Sequence, residues 1–588
     1  MSGLPAASAG ADRVFPALTS EQIARIAAHG RKRATQTGDV LYEPGDTPVF
    51  PALTPEQIGR IAAHGRKRAT QTGDVLYEPG DTPVPFFVVT SGELQIVRLW
   101  AGSETLVATL GPQQFTGEVN SLSGRPAILR LRVSQPGEVI ELDRQQMLAL
   151  LQTDSELGEI LMRAFILRRA ELVAAGMGDV VLVGSTHSAG TLRIKEFLMR
   201  NGHPYSSINL ERDPDVQHLL DSFHIKASEI PVVICRGQLV LRNPTNQELA
   251  NCLGFNQTID QTQVRDLVIV GAGPSGLAAA VYGASEGLDV LVLETSSPGG
   301  QAGSSSRIEN YLGFPTGITG QELAARAFTQ AEKFGAQLLL ASGKRLWCDR
   351  TPHIVETDNG ARIPARAIVI ATGAEYRRPP LENLARFEGA GVYYGATFVE
   401  AQLCAGDEVV VVGGANSAGQ AAVFLAQTAS RVHLLVRSAG LAESMSRYLI
   451  RRIEETPTIE LRTHTEIVAL GGEDQLESVT WQNNQTGARE EHAIGHVFIM
   501  TGGDPNTNWL GRCIALDEKG FIKTGPDLSP EDLSASSWPL ARHPFLLETS
   551  SPGVFAVGDV RGGSIKRVAS AVGEGSIAIS FVHQVLQK

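Results

Sequence analysis

The stretch best equipped for chemistry runs from Val264 to Glu294. An apolar run, Leu267-Val268-Ile269-Val270, leads into Gly271-Ala272-Gly273-Pro274-Ser275-Gly276 and then into an alanine-rich segment of helical character. A second apolar run, Val290 to Leu293, closes on Glu294. This is G-x-G-x-x-G in the full context of strand, turn, helix, strand and acid that dinucleotide binding requires. Gly271 permits the tight turn, Gly273 lets the backbone approach a pyrophosphate, and Gly276 lets helix and strand pack closely. The helix start, with Pro274 and Ser275, offers unpaired N–H groups and the positive end of the helix dipole to phosphates. Glu294 stands where a carboxylate bonds the ribose hydroxyls of an adenosine half.

A second unit of the same kind begins at Asp407. Its strand runs to Val412, the turn reads Gly413-Gly414-Ala415-Asn416-Ser417-Ala418, and a helix and the strand Val432 to Val436 follow. The middle glycine is replaced by Ala415, whose methyl narrows the approach to a pyrophosphate. After the second strand stands Arg437 instead of an acid, which favours the 2′-phosphate of NADP over NAD. Arg447, Arg451 and Arg452 are placed to assist.

These units sit in a long and otherwise ordinary chain. It has 588 residues, an apolar fraction of 43% and a formal net charge of −12. Length suggests several domains, each able to bury a core. The negative balance argues against nucleic acid as a partner. The five cysteines, Cys235, Cys252, Cys348, Cys404 and Cys513, form no C-x-x-C and no metal-ligand spacing, so no metal site is expected. Few, scattered cysteines fit a reducing compartment, and Cys235, in a strand, reads as a small buried hydrophobe. No signal peptide and no membrane-spanning run is read from the sequence, so a cytoplasmic location is expected.

The flavin reading comes from resemblance. Gly299-Gly300-Gln301-Ala302, Ile308 to Pro315 with Asn310, Ala371-Thr372-Gly373-Ala374 and Pro552 to Asp559 resemble, in order, the flavin-contacting segments of bacterial thioredoxin reductases. The resemblance covers residues 264–588. It implies an FAD site of Gly271, Gly273, Pro274, Ser275, Gly276, Glu294, Gly300, Gln301, Asn310, Thr372, Gly373, Gly558, Asp559, Arg567 and Val568, with Asp559 on the ribityl chain. It implies an NADPH site of Gly413, Gly414, Asn416, Ser417, Ala418 and Arg437, and a homodimer. The family carries a redox C-x-x-C just before its nicotinamide-binding strand. Here those two positions are Gly395 and Phe398, so no catalytic residue is assigned. Disulfide exchange needs a thiolate, and Cys404 has no partner at usable spacing.

Upstream, Val14–Pro48 recurs almost letter for letter as Val49–Pro83, differing at Ser20/Pro55 and Ala24/Gly59. Both copies encode a capped helix, with Thr54 as N-cap, Gln57 three residues on and Gly65 as its stop in the second. Only the second copy is expected in a core. Residues 71–142, read as short strands between Gly and Pro turns, and a following helical stretch resemble a cyclic-nucleotide-binding β-roll. Gly117-Glu118 matches that family's phosphate cassette, and a nucleotide-like ligand would engage Gly117, Glu118 and Arg125. The usual arginine position falls at Ala127, however, which favours a lost or altered ligand.

Residues 180–241 read as βαβα followed by ββα and resemble a thioredoxin or glutaredoxin fold with a cis Ile230-Pro231 bond. Its first strand is Val180–Val183, its helices Leu192–Asn201 and Pro214–Phe223, and Gly237 turns the last hairpin. The loop expected to hold C-x-x-C is Ser185-Thr186-His187-Ser188-Ala189-Gly190, which lacks a thiol.

The expected fold class is multidomain α/β: two nested Rossmann-like domains behind a β-roll and a thioredoxin-like module. The expected domains are 1–48 (a tail with the extra repeat copy), 49–176 (β-roll), 178–256 (thioredoxin-like), 264–380 with 499–588 (FAD) and 384–498 (NAD(P)H). A Ser- and Pro-rich insertion, 526–545, reads as a lid or a surface excursion. The expected function is an NADPH-dependent FAD oxidoreductase without a redox dithiol, passing electrons to an unidentified acceptor, a redox protein or a small molecule. The alternatives are a thioredoxin-disulfide reductase using external cysteines and a non-catalytic flavin or nucleotide sensor.

Overall fold

The computed structural model describes residues 51–587 apart from 101–102, 186–187, 211–228, 237–238, 257–258, 349 and 444. The first repeat copy, His187, the expected helix over 214–223 and the Gly237 turn lie outside the described residues.

The second repeat copy opens with α1 (Pro55–Ala62). Its capping box forms as the sequence implies: Thr54 Oγ1 accepts the Gln57 N–H at 3.2 Å and Gln57 Oε1 accepts the Thr54 N–H at 2.8 Å. Gly65 is not its stop. The helix ends at Ala62, and Gly65 lets the chain pass a neighbouring strand, where an added Cβ would lie 2.6 Å from Leu142.

Strands β1 (Arg66–Thr70), β2 (Val75–Tyr77), β3 (Phe86–Trp100) and β4 (Ser103–Leu110), helix α2 (Val119–Ser123), and strand β5 (Arg130–Leu142) build the β-roll. Its sheet order is β1-β5-β3-β4 with β2 beside β5. Strand β3 is longer than the short strands expected over 71–142, because Gly92 (φ 83°) absorbs a bulge where a side chain would strike the carbonyls of Gln135 and Pro136. Helices α3 (Arg144–Thr153) and α4 (Ser155–Ala174) close the roll around Phe86, Phe115 and Phe165.

Next come β6 (Val180–Gly184), α5 (Ala189–Arg200), β7 (Ser206–Asn209), β8 (Val232–Cys235), β9 (Leu239–Arg242) and α6 (Asn246–Cys252). The sheet order is β7-β6-β8-β9, with β6 parallel to β7 and antiparallel to β8, and Ile230-Pro231 is cis.

The segment carrying the first fingerprint contains β10 (Arg265–Val270), α7 (Pro274–Ser285), β11 (Val290–Glu294), α8 (Gly300–Gly303), α9 (Gly320–Lys333), β12 (Gln337–Leu340), β13 (Gly343–Trp347), β14 (His353–Thr357) and β15 (Arg362–Ile370). Its sheet order is β12-β11-β10-β15-β14-β13. The strands β10 and β11 are buried almost throughout, as a parallel sheet covered on both faces demands.

Strand β16 (Ala374–Tyr376) then carries the chain, past α10 (Leu384–Phe387), into a second domain. That domain holds β17 (Val392–Tyr393), α11 (Phe398–Leu403), β18 (Glu408–Val412), α12 (Asn416–Leu425), β19 (Arg431–Leu435), α13 (Arg447–Glu454), β20 (Ile459–Arg462), the hairpin strands β21 (Thr465–Gly471), β22 (Ser478–Asn483) and β23 (Arg489–His492), and β24 (Val497–Ile499). Its five-stranded sheet, β17-β24-β18-β19-β20, is parallel throughout. The chain returns through β25 (Gly503–Pro505), paired antiparallel with β16. It then forms α14 (Pro530–Ala535), β26 (Val554–Ala556), which joins the first sheet beside β15, and α15 (Val568–Leu586), which packs on α7.

The insertion 526–545 folds around α14 and ties to the C-terminal part. Arg542 pairs with the fully buried Glu548 at 2.6 Å, and Phe545 stacks on Phe581 at 5.1 Å.

Candidate functional site

The turn after β10 shows why three glycines stand where they do, and the reasons differ. Gly271 has φ 108°, and a Cβ there would lie 2.3 Å from the Ala371 carbonyl oxygen. At Gly276 a Cβ would lie 1.9 Å from the Gly271 carbonyl oxygen. Both glycines are required by the fold itself. At Gly273 the nearest protein atom would be Gly300 Cα at 4.0 Å, so the protein leaves the space beside this residue open. Gly273 is the N-cap of α7 and supplies no side-chain cap, which leaves the first N–H groups of the helix for another acceptor. Glu294 straps the turn: its Oε2 accepts the Ala272 N–H at 2.8 Å, and its Oε1 accepts the Ser296 N–H at 3.1 Å.

This turn opens on a cavity of about 1000 Å³, at the upper end of the range for ligand pockets. Of the residues assigned to FAD, Gly271, Gly273, Pro274, Ser275, Glu294, Gly300, Gln301, Asn310, Thr372, Gly373, Asp559, Arg567 and Val568 line it. Gly276 and Gly558 do not. Gly558, with φ 73°, makes room for Ser275, whose Oγ would lie 2.5 Å from an added Cβ. Thr372 and Asn506 lock the floor by exchanging two hydrogen bonds of 2.9 Å. Burial raises the Asp559 carboxyl above its ordinary range, against the pull of nearby Lys566.

The second fingerprint reaches the same cavity through Asn416 and Ser417. Gly413, Gly414, Ala418 and Arg437 stand off its lining. Gly413 (φ 142°) is a fold requirement, since a Cβ would meet the Met500 carbonyl oxygen at 2.5 Å. Ala415 caps α12 with φ −98° and ψ 178°, extended backbone like that of Gly273, so its methyl costs no strain. Arg437 is exposed just past β19. Arg452, expected near a 2′-phosphate, instead grips both carboxylate oxygens of Glu309 at 2.8 and 2.9 Å, and Arg451 pairs with Glu455.

Several lining residues escaped the sequence. Tyr376, Trp509 and Lys566 come from the two chain segments of the flavin domain, while Leu192, Glu196 and Arg200 come from α5 of the preceding module. Arg200 donates to the Gly300 carbonyl at 2.7 Å, and Asn201 donates to that of Ser296 at 3.0 Å. No local pattern announces such contacts, because they arise when separate modules dock.

Residues 265–575, just over half of the chain, match the model of the pyridine nucleotide-disulphide oxidoreductases. The chain belongs to that family. Thioredoxin reductase of Bacillus subtilis (strain 168) is 31% identical over 331 residues, which span 56% of this chain and 97% of that protein. Thioredoxin reductase of Treponema pallidum (strain Nichols) is 33% identical over 317 residues, 53% of this chain and 94% of that protein. The crystal structure of Lactococcus lactis thioredoxin reductase (FR conformation) matches at 28% identity with a TM-score of 0.49, covering 55% of this chain and 100% of that one. Residues 67–154 match the cyclic nucleotide-binding domain.

Thioredoxin reductases of this oxidoreductase family use FAD and NADPH. The chain's residues fit a bound FAD: the open space at Gly273, the uncapped start of α7 and the converging loops are what a pyrophosphate and its ribose need.

In the β-roll the expected ligand residues already have partners. The Gly117 carbonyl accepts from Arg168 at 2.8 Å, and Glu118 pairs with Arg169 at 2.5 Å. Arg125 is turned into a junction with the flavin domain, 8% exposed, with its guanidinium 4.2 Å from the Phe255 ring centre and 5.4 Å from that of Phe328. Beside it, burial pushes Glu332 up to about 7.

The cysteines differ from expectation. Cys235 is buried but is bonded to Cys252, and Cys348 is bonded to Cys513. The partners are 17 and 165 residues apart, beyond any local spacing rule. The free thiol of Cys404 is fully buried and pushed up to about 12 by desolvation. No cysteine is among the cavity's lining residues, and no residue of 526–545 is either. Gly395 lines the cavity; Phe398 opens α11. Among the described residues no cluster suited to a metal occurs, and no helix is long and apolar enough to cross a membrane.

Proposed function

We propose that the protein oxidises NADPH and passes the electrons through FAD to an acceptor other than an internal dithiol. The observation that carries this reading is the shared cavity: both fingerprint helices open on it and no cysteine lines it. The flavin would supply hydride acceptance and release. The chain's residues bind and orient the two dinucleotides. Gly273, the start of α7, Glu294 and Asp559 would hold FAD. Gly413, Gly414, Asn416, Ser417, Ala418 and Arg437 would hold NADPH. A cysteine pair at 395 and 398 is what a thiol relay would need, and Gly395 and Phe398 stand there. We also assign the β-roll and the module at 178–256 to regulation or docking, with a thioredoxin-like fold for the latter supported by its sheet order and cis Ile230-Pro231. A homodimer in the cytoplasm belongs to the same reading; a nucleotide-like ligand at the β-roll would first have to release Glu118 from Arg169, so a lost or altered ligand is the favoured state there.

Anaerobic titration with NADPH, followed in the visible spectrum, tests it. Bleaching of the flavin is expected, and no bleaching would leave a binding protein. The names of the relatives favour a second reading, reduction of a disulfide with cysteines supplied by a partner. A coupled disulfide assay with several thioredoxins separates the two. Turnover above background would overturn the proposal.

A further inference from the structure

Two carboxyl groups from different modules share the cavity with Gly395. Glu196 lies on α5 and Glu400 on α11, and both are lining residues, as are Tyr393 and Tyr394. Helix α5 is seated firmly. Leu192 packs into the core of the second nucleotide domain with Tyr393, Ala396 and Ala401, while Arg200, one turn after Glu196, bonds Gly300 in the first. Glu400 is 4% exposed and fixed by the Thr397 N–H at 2.8 Å. Between these walls the position of Gly395 is open, since an added Cβ would meet only Ser304, at 3.8 Å.

We propose that Glu196 and Glu400 form a proton-sharing acid pair that serves a small, planar, quinone-type acceptor bound beside Gly395. This rests on the NADPH-oxidoreductase reading above. Three observations select the acceptor. Helix α5 walls the cavity, which favours a small molecule over a protein. Tyr393 and Tyr394 add aromatic side chains to that wall. Paired acids have work to do only for an acceptor that takes protons along with electrons.

The electrostatics agree. Burial and the Glu400 charge push Glu196 up to about 7, with Arg200 opposing. Burial also raises Glu400, against its hydrogen bonds from Thr397 and the charge of Arg200. The other titratable groups facing Glu400 are Tyr393 on β17 and Cys404 at the end of α11. Both are raised by burial and stay neutral near pH 7. Two carboxyls facing one guanidinium keep a proton near neutrality because both cannot ionise cheaply. The balance is NADPH + H⁺ + quinone → NADP⁺ + hydroquinone. Two electrons and one proton originate as hydride in NADPH. The second proton comes from the acid pair to the second quinone oxygen, and solvent restores it.

The test uses the full-length, FAD-loaded protein. Infrared difference spectra across a pH series, taken in a Glu332→Gln background, should show a protonated carboxyl that titrates near 7, is lost in Glu196→Gln and moves to lower pH in Glu400→Gln. Glutamine preserves the capping role of residue 400. In stopped flow, the reduced protein should hand electrons to benzoquinone at a rate that falls as pH rises through about 7, and each variant should slow it at least about tenfold at neutral pH. Ferricyanide, which takes electrons without protons, should react unchanged, and Glu196→Asp should recover part of the quinone rate. The proposal is overturned if no such carboxyl titrates, if the variants leave benzoquinone rates unchanged, or if both acceptors slow alike. Failure of NADPH to bleach the flavin would instead strike the function reading. The infrared result, and quinone reaction after dithionite reduction, would still decide the acid pair.

Discussion

The flavin cavity and the β-roll cassette both carry recognisable motifs, the second with Ala127 where an arginine is usual, and the structure treats them in opposite ways. Around the cavity the motif residues leave space: nothing of the protein comes within 4.0 Å of a Cβ on Gly273. In the β-roll the corresponding groups are already bonded to the chain itself, Glu118 to Arg169 and Gly117 to Arg168. Arg125 faces aromatic rings at a domain junction. Glu294 is also spent on the backbone, so what distinguishes the two sites is whether the turn itself keeps open space and unpaired helix-start N–H groups after folding. By that criterion the first site is poised to bind and the second is closed by internal contacts.

The largest effect should come from the turn glycines, where two substitutions separate ligand need from fold need. Gly273→Trp should yield folded but colourless protein, seen as a normal circular dichroism spectrum without flavin absorbance. Gly276→Ala should instead lower the melting temperature even without flavin, because its Cβ would sit 1.9 Å from a carbonyl oxygen. If both variants lose only flavin, the distinction between them fails.

Next in size is Arg437→Ala. Losing a charge-assisted contact to phosphate costs about 1.5–3 kcal/mol. The KM for NADPH should therefore rise roughly ten- to a hundredfold, with NADH use unchanged. Equal preference for both nucleotides in the wild type would remove Arg437 from the site.

For the β-roll, calorimetry with cyclic AMP should give weak or no heat. Arg169→Ala, by releasing Glu118, should strengthen binding of a ribose-bearing ligand. Tight binding by the wild type would break the comparison, since it would mean that Arg169 and Arg125 are easily displaced.

The smallest effect concerns Glu332, 3% exposed. Burial pushes its carboxyl up to about 7, against nearby Arg125, Arg144 and Arg169, from the ordinary 4.5 of an exposed glutamate. The native state thus holds a proton that the unfolded chain has released, so stability falls as pH rises from about 4.5 through 7. Glu332→Gln should flatten that slope in denaturant melts.

Both nucleotide domains were legible from sequence because their signals are local. A strand, a glycine turn and a helix lie within 30 or so residues, and burial on both faces writes an unbroken apolar run such as Leu267–Val270. The capping box at Thr54 and Gln57 was legible for the same reason. What escaped depends on distant segments meeting. Gly65 looked like a helix stop and is a passing place beside Leu142. The Cys348–Cys513 bond joins positions with no shared local pattern. Glu196 and Arg200 entered the cavity wall from a module that sequence reading held apart. The disposition of Arg125 had no sequence signal either, because Phe255 and Phe328 become its neighbours only through docking.

The seating of Leu192 bears on how this gene product can be dissected. The side chain is 8% exposed because it is shared between α5 and the Tyr393–Cys404 surface. A fragment cut at residue 264, where the resemblance to shorter reductases begins, would leave that surface uncovered and Gly300 without its guanidinium. Such a fragment is not a minimal version of the enzyme. Sticky behaviour or poor flavin retention in it would report the wound made by the cut, not the properties of the intact chain.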